Sequence, residues 1–263
     1  MSELSEHDYG PYPTCTASLV VYENSSAMLA ELLQSLPGFL PVVVVDNSPT
    51  VELEQFFAGF SQVTYRFSGC NLGYGKGHNL GIALSPPSDF HLIMNPDVVV
   101  RPGALEQMLR CMDNDSRIGV LCPQVCNPDG SLQFLNRRYP TVLDLFLRRF
   151  VPHGAFTERR AWHEMRDIGY DAACDVESVS GAFMLCRRTL LEKLGGFDPR
   201  YFMYFEDVDL SRECHRAGYR TVYCPDAVVV HQWARASYRN LRLTVVHIIN
   251  MIRYFNKWGW KWW

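Results

Sequence analysis

The chain has 263 residues, of which 48% are apolar and 20% charged, and its formal net charge is −3. This length accommodates one large domain or two fused lobes, and the composition excludes a disordered or low-complexity chain. A weakly negative chain offers no basic field, so we expect no nucleic-acid partner.

Compartment is indicated by the cysteines and the termini. The nine cysteines are loosely spaced and form no C-x-x-C pair, which favours free thiols in a reducing compartment. Residues 1–13 are acidic and polar, unlike a signal peptide, and no run of about 18 apolar residues predicts a membrane-spanning helix. We therefore expect a cytoplasmic protein.

The first half of the chain alternates apolar runs with helical patterns. Apolar runs predict strands at 17–22, 41–45, 63–67, 90–94 and 118–122. Helical spacing predicts helices after Ser25–Ser26 and at 51–60, 79–84 and 102–112. Such alternation is typical of right-handed βαβ units around an open parallel sheet.

The second half is less regular. Residues 126–175 show no clear periodicity, although they carry three Arg–Arg pairs. Further strands are predicted at 179–187, 221–223 and 228–230, and helices at 188–194, at 207–217 and over about the last 25 residues.

Two predicted strands end in acids, at Asp46 and at Asn95-Pro96-Asp97. Ligands of open α/β sheets collect at the carboxyl ends of strands, although an acid there can also serve only as a turn former or a helix cap. The two acids together, in one βαβ array, favour a binding site.

A glycine-rich segment over residues 71–79 precedes a predicted helix. Glycines there allow backbone N–H groups to approach a phosphate. The segment is neither a Walker loop nor the dinucleotide-binding G-x-G-x-x-G.

The densest cluster of reactive groups spans residues 201–210, where Glu206, Asp207 and Asp209 stand beside aromatic side chains. Neighbouring acids against an apolar wall raise the proton affinity of at least one of them, which is one way to build a general base. His231 follows another apolar strand and could complete a metal site begun by Asp97.

Taken in order, these motifs resemble the family 2 glycosyltransferases of GT-A fold, and among them the bacterial rhamnosyltransferases of O-antigen and cell-wall polysaccharide synthesis. The resemblance spans about residues 16–235. It is carried by Y-E-N at 22–24, V-V-V-V-D-N-S at 42–48, N-L-G-Y-G-K-G-H-N at 71–79, N-P-D at 95–97, S-G-A-F-M-L at 180–185, G-G-F-D at 195–198, F-E-D-V-D-L at 205–210 and His231.

The resemblance implies an α/β fold with a mostly parallel central sheet flanked by helices, an acceptor-binding subregion and a C-terminal amphipathic helix. We expect the nucleotide-sugar part at 14–125, the acceptor-binding and catalytic-base part at 126–237 and a basic helix at 238–263.

It also implies roles for particular residues. Asp207 is expected to be the general base and Glu206 to orient it, although the motif leaves an exchange of these roles open. Asp97 and His231 would hold Mg²⁺ or Mn²⁺, with Asn95 in place of the first acid of the family's D-x-D motif. The nucleotide sugar would be bound by Tyr22, Asn24, Asp46, Asn71, Gly73, Lys76, Asn79 and Asn95.

The implied reaction is transfer of a sugar, with inversion, from a dTDP- or UDP-sugar to a hydroxyl of a glycan or of a polyprenyl-diphosphate-linked saccharide. The best expectation is L-rhamnose from dTDP-rhamnose. A nucleotidyltransferase acting on sugar phosphates, another donor within the family and a non-catalytic sugar-binding module are the alternatives. The residues after the first strand, Tyr22 to Ser26, lack the basic glycine-rich loop of a nucleotidyltransferase.

The C-terminal segment has a composition of its own. Residues 232–263 contain six Lys or Arg and no acid, and four of the last six residues are Trp. A basic amphipathic helix ending in Trp is typical of an interfacial anchor, which would place the protein peripherally at the inner face of the cytoplasmic membrane. The alternatives are a helix packed on the catalytic domain and a homodimer interface.

Overall fold

The computed structural model describes residues 14–151, 154–232 and 241–263. The predicted leader at 1–13 and the predicted boundary at 237–238 lie outside these residues.

The described residues form nine strands and nine helices. The strands are β1 (Cys15–Val21), β2 (Val42–Asp46), β3 (Val63–Phe67), β4 (Phe90–Met94), β5 (Val98–Val100), β6 (Ile118–Cys126), β7 (Cys174–Asp175), β8 (Phe183–Arg187) and β9 (Arg220–His231). The helices are α1 (Ser26–Ser35), α2 (Glu54–Phe57), α3 (Tyr74–Leu84), α4 (Ala104–Asn114), α5 (Val142–Phe150), α6 (Thr157–His163), α7 (Arg188–Leu194), α8 (Glu206–Arg216) and α9 (Leu241–Trp258).

The strands form one mixed sheet in the order β3-β2-β1-β4-β8-β6-β9-β5, and β7 pairs with β9. Strands β3, β2, β1 and β4 are parallel, as predicted from the first half of the chain. Strand β8 runs antiparallel to both β4 and β6, and β9 is parallel to β6. The carboxyl ends of β1, β2 and β4 therefore meet the amino end of β8 at one edge of the sheet.

Helices cover both faces of the sheet, because the central strands are buried on both sides. Leucines of α1 and methionines of α4 pack on one face with β4 Leu92, and α3, α7 and α8 pack on the other with β4 Ile93. Ser25 caps α1 as its sequence predicts, since its hydroxyl accepts from the Met28 N–H.

Two expectations for the second half are wrong in detail. Residues 126–175 contain α5, α6 and β7, and α5 begins with a capping box in which Thr141 and Asp144 bond each other's backbone N–H. The strands predicted at 221–223 and 228–230 are one strand, β9, with a register shift opposite Pro123–Gln124. A bulge divides the apolar pattern without ending the strand.

Helix α9 packs on the catalytic domain along one side. Tyr254 and Phe255 are buried in a cluster with Leu145, Tyr201 and Phe205. The Lys257 ammonium contacts carboxylates of Asp198, Asp209 and Glu213 at 2.7 to 3.2 Å, and the Trp258 indole donates to Asp209. Its opposite side exposes Val245, Ile248, Ile249 and Ile252. Within the described residues, no helix is both long and apolar enough to cross a bilayer.

Candidate active site

The predicted motifs meet at the edge of the sheet formed by the carboxyl ends of β1, β2 and β4. The two residues before β8, Gly181 and Ala182, connect them. The Asn95 N–H donates to the Ala182 carbonyl at 2.8 Å, and the Gly181 N–H donates to the Asp207 carboxylate at 3.1 Å. The N-P-D motif and the acid cluster at the start of α8 are therefore neighbours.

Gly181 also connects the start of α8 to the glycine-rich segment. Its carbonyl accepts a short hydrogen bond from the Tyr74 hydroxyl, at the first residue of α3. Gly73, before that helix, has φ +81°, and a Cβ there would lie 2.2 Å from the Phe202 carbonyl oxygen. The glycine thus permits a close approach to the loop before α8, as well as a left-handed turn.

The two acids at the start of α8 have different surroundings. Asp207 is half-buried, and its carboxylate accepts from the N–H groups of Gly181 and Val208. Glu206 is buried, and its Oε2 has no hydrogen-bond partner. Burial and then the charge of Asp207 raise the pKa of Glu206 to about 8. Near neutral pH Glu206 is therefore protonated.

The backbone before these acids is strained. Tyr204 and Phe205 have φ values of 73° and 71°, which bulky residues rarely adopt. Successive residues in this region cost on the order of 1–3 kcal/mol each and persist where the surrounding structure enforces them. Phe205 is held by the buried aromatic ring of Tyr254. Packing of α9 thus helps to set the conformation from which Glu206 and Asp207 project.

Asp97 and His231 are brought together as predicted, since β5 pairs with the end of β9. The Asp97 Oδ1 lies 3.2 Å from the His231 Nε2, and both side chains are largely buried. Gln133, which the sequence did not suggest, contacts the His231 Nδ1 through its Oε1 at 3.0 Å and donates its own amide to the His231 carbonyl at 2.8 Å. Because the Gln133 Oε1 can only accept, the His231 Nδ1 donates this hydrogen bond, and the Nε2 points towards Asp97.

This pair suits a divalent cation. The Asp97 Oδ1 and the His231 Nε2 lie 3.2 Å apart, and a carboxylate oxygen and an imidazole nitrogen that converge in this way can both bind a divalent cation. Two side chains do not complete the coordination sphere of a metal ion. The described residues hold no group of three or more His, Cys, Asp or Glu placed for a metal. Oxygens of a diphosphate and of water are the ligands that Mg²⁺ ordinarily adds to one or two carboxylates.

On the nucleotide side, Asp46 is fully buried at the end of β2. Its carboxylate accepts from the Ser48 N–H at 2.8 Å and from the Tyr65 hydroxyl at 2.7 Å. Tyr22 is exposed, and its N–H donates to the Asn24 side chain at 2.9 Å in the turn after β1. These residues line the same edge of the sheet as Asn95.

The glycine-rich segment supplies groups with two different tasks. Lys76 is exposed in the first turn of α3, and the Asn71 side chain accepts from the Gly73 N–H at 2.9 Å. The Asn79 amide instead donates to the carbonyl and accepts from the N–H of Phe197, both at 2.8 Å. In this structure the hydrogen-bonding groups of Asn79 hold the G-G-F-D loop, and its expected contact with the nucleotide stays a prediction.

Comparison with known proteins identifies the family. The profile described as "Glycosyltransferase like family 2" matches residues 7–247, which is most of the chain. The chain belongs to this family. It is therefore a glycosyltransferase, and the alternatives of a nucleotidyltransferase and of a non-catalytic sugar-binding module are set aside.

Two curated relatives are rhamnosyltransferases. The chain is 32% identical to the N-acetylglucosaminyl-diphospho-decaprenol L-rhamnosyltransferase of Mycobacterium tuberculosis, over 76% of this chain and 78% of that one. It is 25% identical to the rhamnosyltransferase WbbL of Escherichia coli K12, over 80% and 79% of the two chains.

Solved structures confirm the expected fold class. GalNAc-T7, solved with UDP, GalNAc and Mn²⁺, matches with a TM-score of 0.63 at 14% identity, over 84% of this chain and 43% of that one. The mannosyltransferase PcManGT of Pyrobaculum calidifontis, solved with GDP-mannose and Mn²⁺, matches with a TM-score of 0.60 at 19% identity, over 92% and 65%. The shared architecture is the GT-A-like sheet flanked by helices.

Sequence reasoning missed Gln133, Tyr74 and Gly181 as parts of this site. Tyr74 and Gly181 lie in the motifs that carried the family resemblance, but their mutual contact spans 107 residues of chain. Gln133 lies in a segment without periodicity, and only the folded structure brings it to His231.

Proposed function

We propose that this glycosyltransferase moves L-rhamnose, from dTDP-rhamnose, to a hydroxyl of a saccharide linked to a polyprenyl diphosphate, with inversion at the transferred carbon. The observation that carries the proposal is the Gly181–Ala182 connection, which sets the Asp207 carboxylate beside the Asn95–Asp97 motif. The similarity to rhamnosyltransferases, one of which acts on a decaprenol-linked acceptor, supports the choice of sugar and acceptor.

The proton acceptor in this proposal is Asp207. It is half-buried, so an acceptor hydroxyl can reach it, and the Gly181 N–H fixes its orientation. Glu206 keeps its proton near neutral pH and leaves the carboxylate of Asp207 to act as the base. A single base and a direct attack by the acceptor oxygen on the anomeric carbon, with departure of the nucleoside diphosphate, give inversion.

The leaving group develops negative charge on its β-phosphate. Asp97 and His231 would hold Mg²⁺ or Mn²⁺, which when bound supplies the positive charge that stabilises this diphosphate. His231 is oriented for this by Gln133. The neutral side chain of Asn95 leaves Asp97 as the one acid of the N-P-D motif.

Donor binding is assigned to the residues at the carboxyl ends of β1 and β2 and at the start of α3. We assign the base and the ribose to Tyr22, Asn24 and Asp46, and the phosphates to Asn71, Gly73 and Lys76. The cationic Lys76, at the amino end of α3, suits the diphosphate because it adds to the positive end of the helix dipole. Asn79 supports this region through its two hydrogen bonds with the backbone of Phe197.

The test is a panel of nucleotide sugars with a water-soluble N-acetylglucosaminyl diphosphate carrying a short alkyl chain as acceptor. We expect transfer from dTDP-rhamnose, release of dTDP, loss of activity with a chelator and recovery with Mg²⁺ or Mn²⁺. The anomeric configuration of the product, measured by NMR, tests inversion. A clear preference for another donor would overturn the rhamnose assignment, and a retained configuration would overturn the single-displacement mechanism.

We further propose that the protein binds peripherally to the inner face of the cytoplasmic membrane through α9 and the C-terminal tail. The exposed face of α9 is apolar, Trp262 and Trp263 are 56% and 81% exposed, and residues 241–263 contain basic residues and no acid. Anionic lipids complement this charge, and indoles favour the headgroup region.

The membrane proposal is tested by vesicle co-sedimentation. Replacing Ile248, Trp262 and Trp263 together by Ser should abolish binding to vesicles rich in phosphatidylglycerol. Phe39→Ser, at an exposed phenylalanine elsewhere, is the matched control. Trp258 stays in place, because its indole bonds to Asp209 and its loss would disturb α8. Unchanged sedimentation of the triple variant would refute the anchor, and a change of mass in ultracentrifugation would identify a dimer interface instead.

A further inference from the structure

A pocket rich in arginine lies between α5 and α6, outside the site described above. Four guanidinium groups line it, together with two carboxylates and the His163 imidazole. The arginine pocket is defined by Arg137, Arg148, Arg159, Arg160, Asp144 and His163, with Glu164 at its margin.

Both carboxylates of the arginine pocket are already paired with arginines. Asp144 accepts from the Arg159 guanidinium at 2.7 and 3.0 Å, and Glu164 accepts from Arg166 at 2.8 and 2.5 Å. Arg166 does not line the pocket, and Arg148 lies exposed at its rim. The pocket therefore presents an excess of positive charge towards solvent, which favours an anionic ligand.

His163 provides an independent sign of a ligand. Its side chain is 9% exposed, and its Nδ1 is buried without a hydrogen-bond partner, 3.9 Å from Asp144. Burial and then the charge of Arg137 are the main causes that lower the pKa of His163 to about 3. A neutral imidazole can donate one hydrogen bond to an anion at this point without adding to the charge of the arginines.

The arginine pocket is connected to the proposed base by a short stretch of chain. The backbone of Arg137 pairs with that of Ser178 through bonds of 2.9 and 3.2 Å. Gly181, which bonds Asp207, follows three residues later, so the Cα atoms of Ser178 and Gly181 are at most about 10 Å apart. The arginine pocket and the proposed base are therefore joined through one short segment of chain.

An apolar surface adjoins the arginine pocket. Leu143, Phe146 and Phe150 of α5 are 37%, 53% and 63% exposed. The Leu143 N–H donates to the Trp262 carbonyl at 3.1 Å, so this surface continues into the tryptophan-rich tail. The arginine pocket and the apolar surface thus share α5, just as the diphosphate and the hydrocarbon are neighbours in a lipid-linked acceptor.

We propose that the mouth of the arginine pocket, where Arg148 is exposed, binds the diphosphate of the acceptor and that the exposed face of α5 carries the first part of its lipid chain. This inference rests on the proposed function, because it takes the acceptor to be a saccharide linked to a lipid diphosphate. Planar guanidinium groups bind phosphate oxygens in pairs, which makes arginine the suitable side chain for this ligand.

The test compares two water-soluble acceptors, the alkyl-linked N-acetylglucosaminyl diphosphate and the alkyl glycoside of the same sugar without the diphosphate. Arg148→Gln should raise the KM for the diphosphate acceptor by about 10-fold or more, since a hydrogen bond to a charged group of this kind contributes enough for such a change. The KM for the donor and for the neutral glycoside should stay unchanged. Arg137→Gln is expected to act in the same direction.

Arg117→Gln is the matched control. The Arg117 side chain is 72% exposed, pairs with Asp115 at the opposite edge of the sheet and should leave every KM unchanged. Arg148 is exposed, so its variant should keep the melting temperature of the wild type; should Arg137→Gln unfold, Arg148→Gln decides alone. An unchanged KM for the diphosphate acceptor in Arg148→Gln would overturn the proposal.

Calorimetry separates this proposal from the proposed function and from a lipid-headgroup site. The same diphosphate acceptor, titrated in a chelator without donor, should bind wild type about 10-fold more tightly than Arg148→Gln, whether or not transfer occurs. Failure of all transfer with this difference intact would overturn only the proposed function. Equal binding of the acceptor, with weaker binding of Arg148→Gln to phosphatidylglycerol vesicles, would assign the pocket to phospholipid headgroups and refute the diphosphate site.

Discussion

The nucleotide side and the catalytic side of the site treat their acidic side chains in opposite ways. Asp46, on the nucleotide side, is fully buried and accepts two hydrogen bonds from protein groups. On the catalytic side, Glu206 Oε2 and Asp97 Oδ1 are buried without hydrogen-bond partners. Unpaired buried polar groups are costly, so they persist where function uses them. Asp46 is thus satisfied by protein groups, whereas Glu206 and Asp97 each keep a carboxylate oxygen that could contact what binds there.

The largest effect should come from the proposed base. Asp207→Asn keeps the size of the side chain but removes the proton acceptor, so kcat should fall by at least about 100-fold with little change in donor affinity. Steady-state kinetics and donor binding by calorimetry measure the two quantities. Asp175→Asn, at an exposed acid on β7, is the control. Turnover close to wild type in Asp207→Asn would remove Asp207 from the mechanism.

A second experiment tests how much the buried Glu206 lowers the free energy of unfolding. An acid with a native pKa near 8 keeps its proton while the unfolded chain releases it at about 4.5, so the free energy of unfolding falls as the pH rises between these values and is constant above them. Glu206→Gln removes this titration.

The Gln variant should therefore match wild type near pH 5 and exceed its unfolding free energy by on the order of 3 kcal/mol at pH 8. Chemical denaturation over this pH range measures the difference. Glu192→Gln, at an exposed glutamate of α7, should show no such dependence. A constant difference between wild type and Glu206→Gln from pH 5 to pH 8 would contradict the assignment.

A third experiment concerns the orientation of His231. Gln133→Leu removes the acceptor that keeps the ring proton on Nδ1, so the affinity for the divalent cation should fall about 10- to 100-fold. Activity measured against the concentration of Mn²⁺ should recover at high metal. Gln124→Leu is the control, since that amide contacts Tyr223 and Cys126 instead. An unchanged metal requirement in Gln133→Leu would argue against the Asp97–His231 cation site.

The smallest effect is expected on the nucleotide side. Tyr65→Phe leaves Asp46 with the Ser48 N–H as its remaining donor, at a cost of about 1–2 kcal/mol in the free energy of unfolding. Donor KM should rise modestly and kcat should stay the same, because this side positions the substrate without taking part in the reaction. A loss of kcat in Tyr65→Phe as large as that in Asp207→Asn would contradict the proposed difference between the two sides.

Much of the nucleotide half follows from local sequence. The run at 42–45 is apolar throughout and the run at 90–94 is apolar except for His91, as is typical of strands buried on both faces, and they form β2 and β4 as predicted. Because these strands are parallel, the acids that end them had to meet at one edge of the sheet. Strand patterning thus predicted the fold class and the place of Asp46 and Asp97 with no knowledge of long-range contacts.

Tertiary structure decided the rest, because the contacts involved join distant parts of the chain. Glu206 and Asp207 differ because Glu206 is buried, whereas Asp207 accepts a hydrogen bond from Gly181. Two adjacent acids in a sequence indicate neither the burial nor the contact. Asn79 reads as a ligand-binding residue in a glycine-rich motif, but Phe197, 118 residues away, uses its amide. The sequence by itself determined the strands, their acids and the family; the tertiary structure assigned each polar group its partner, since hydrogen bonding and desolvation depend on what the fold places beside it.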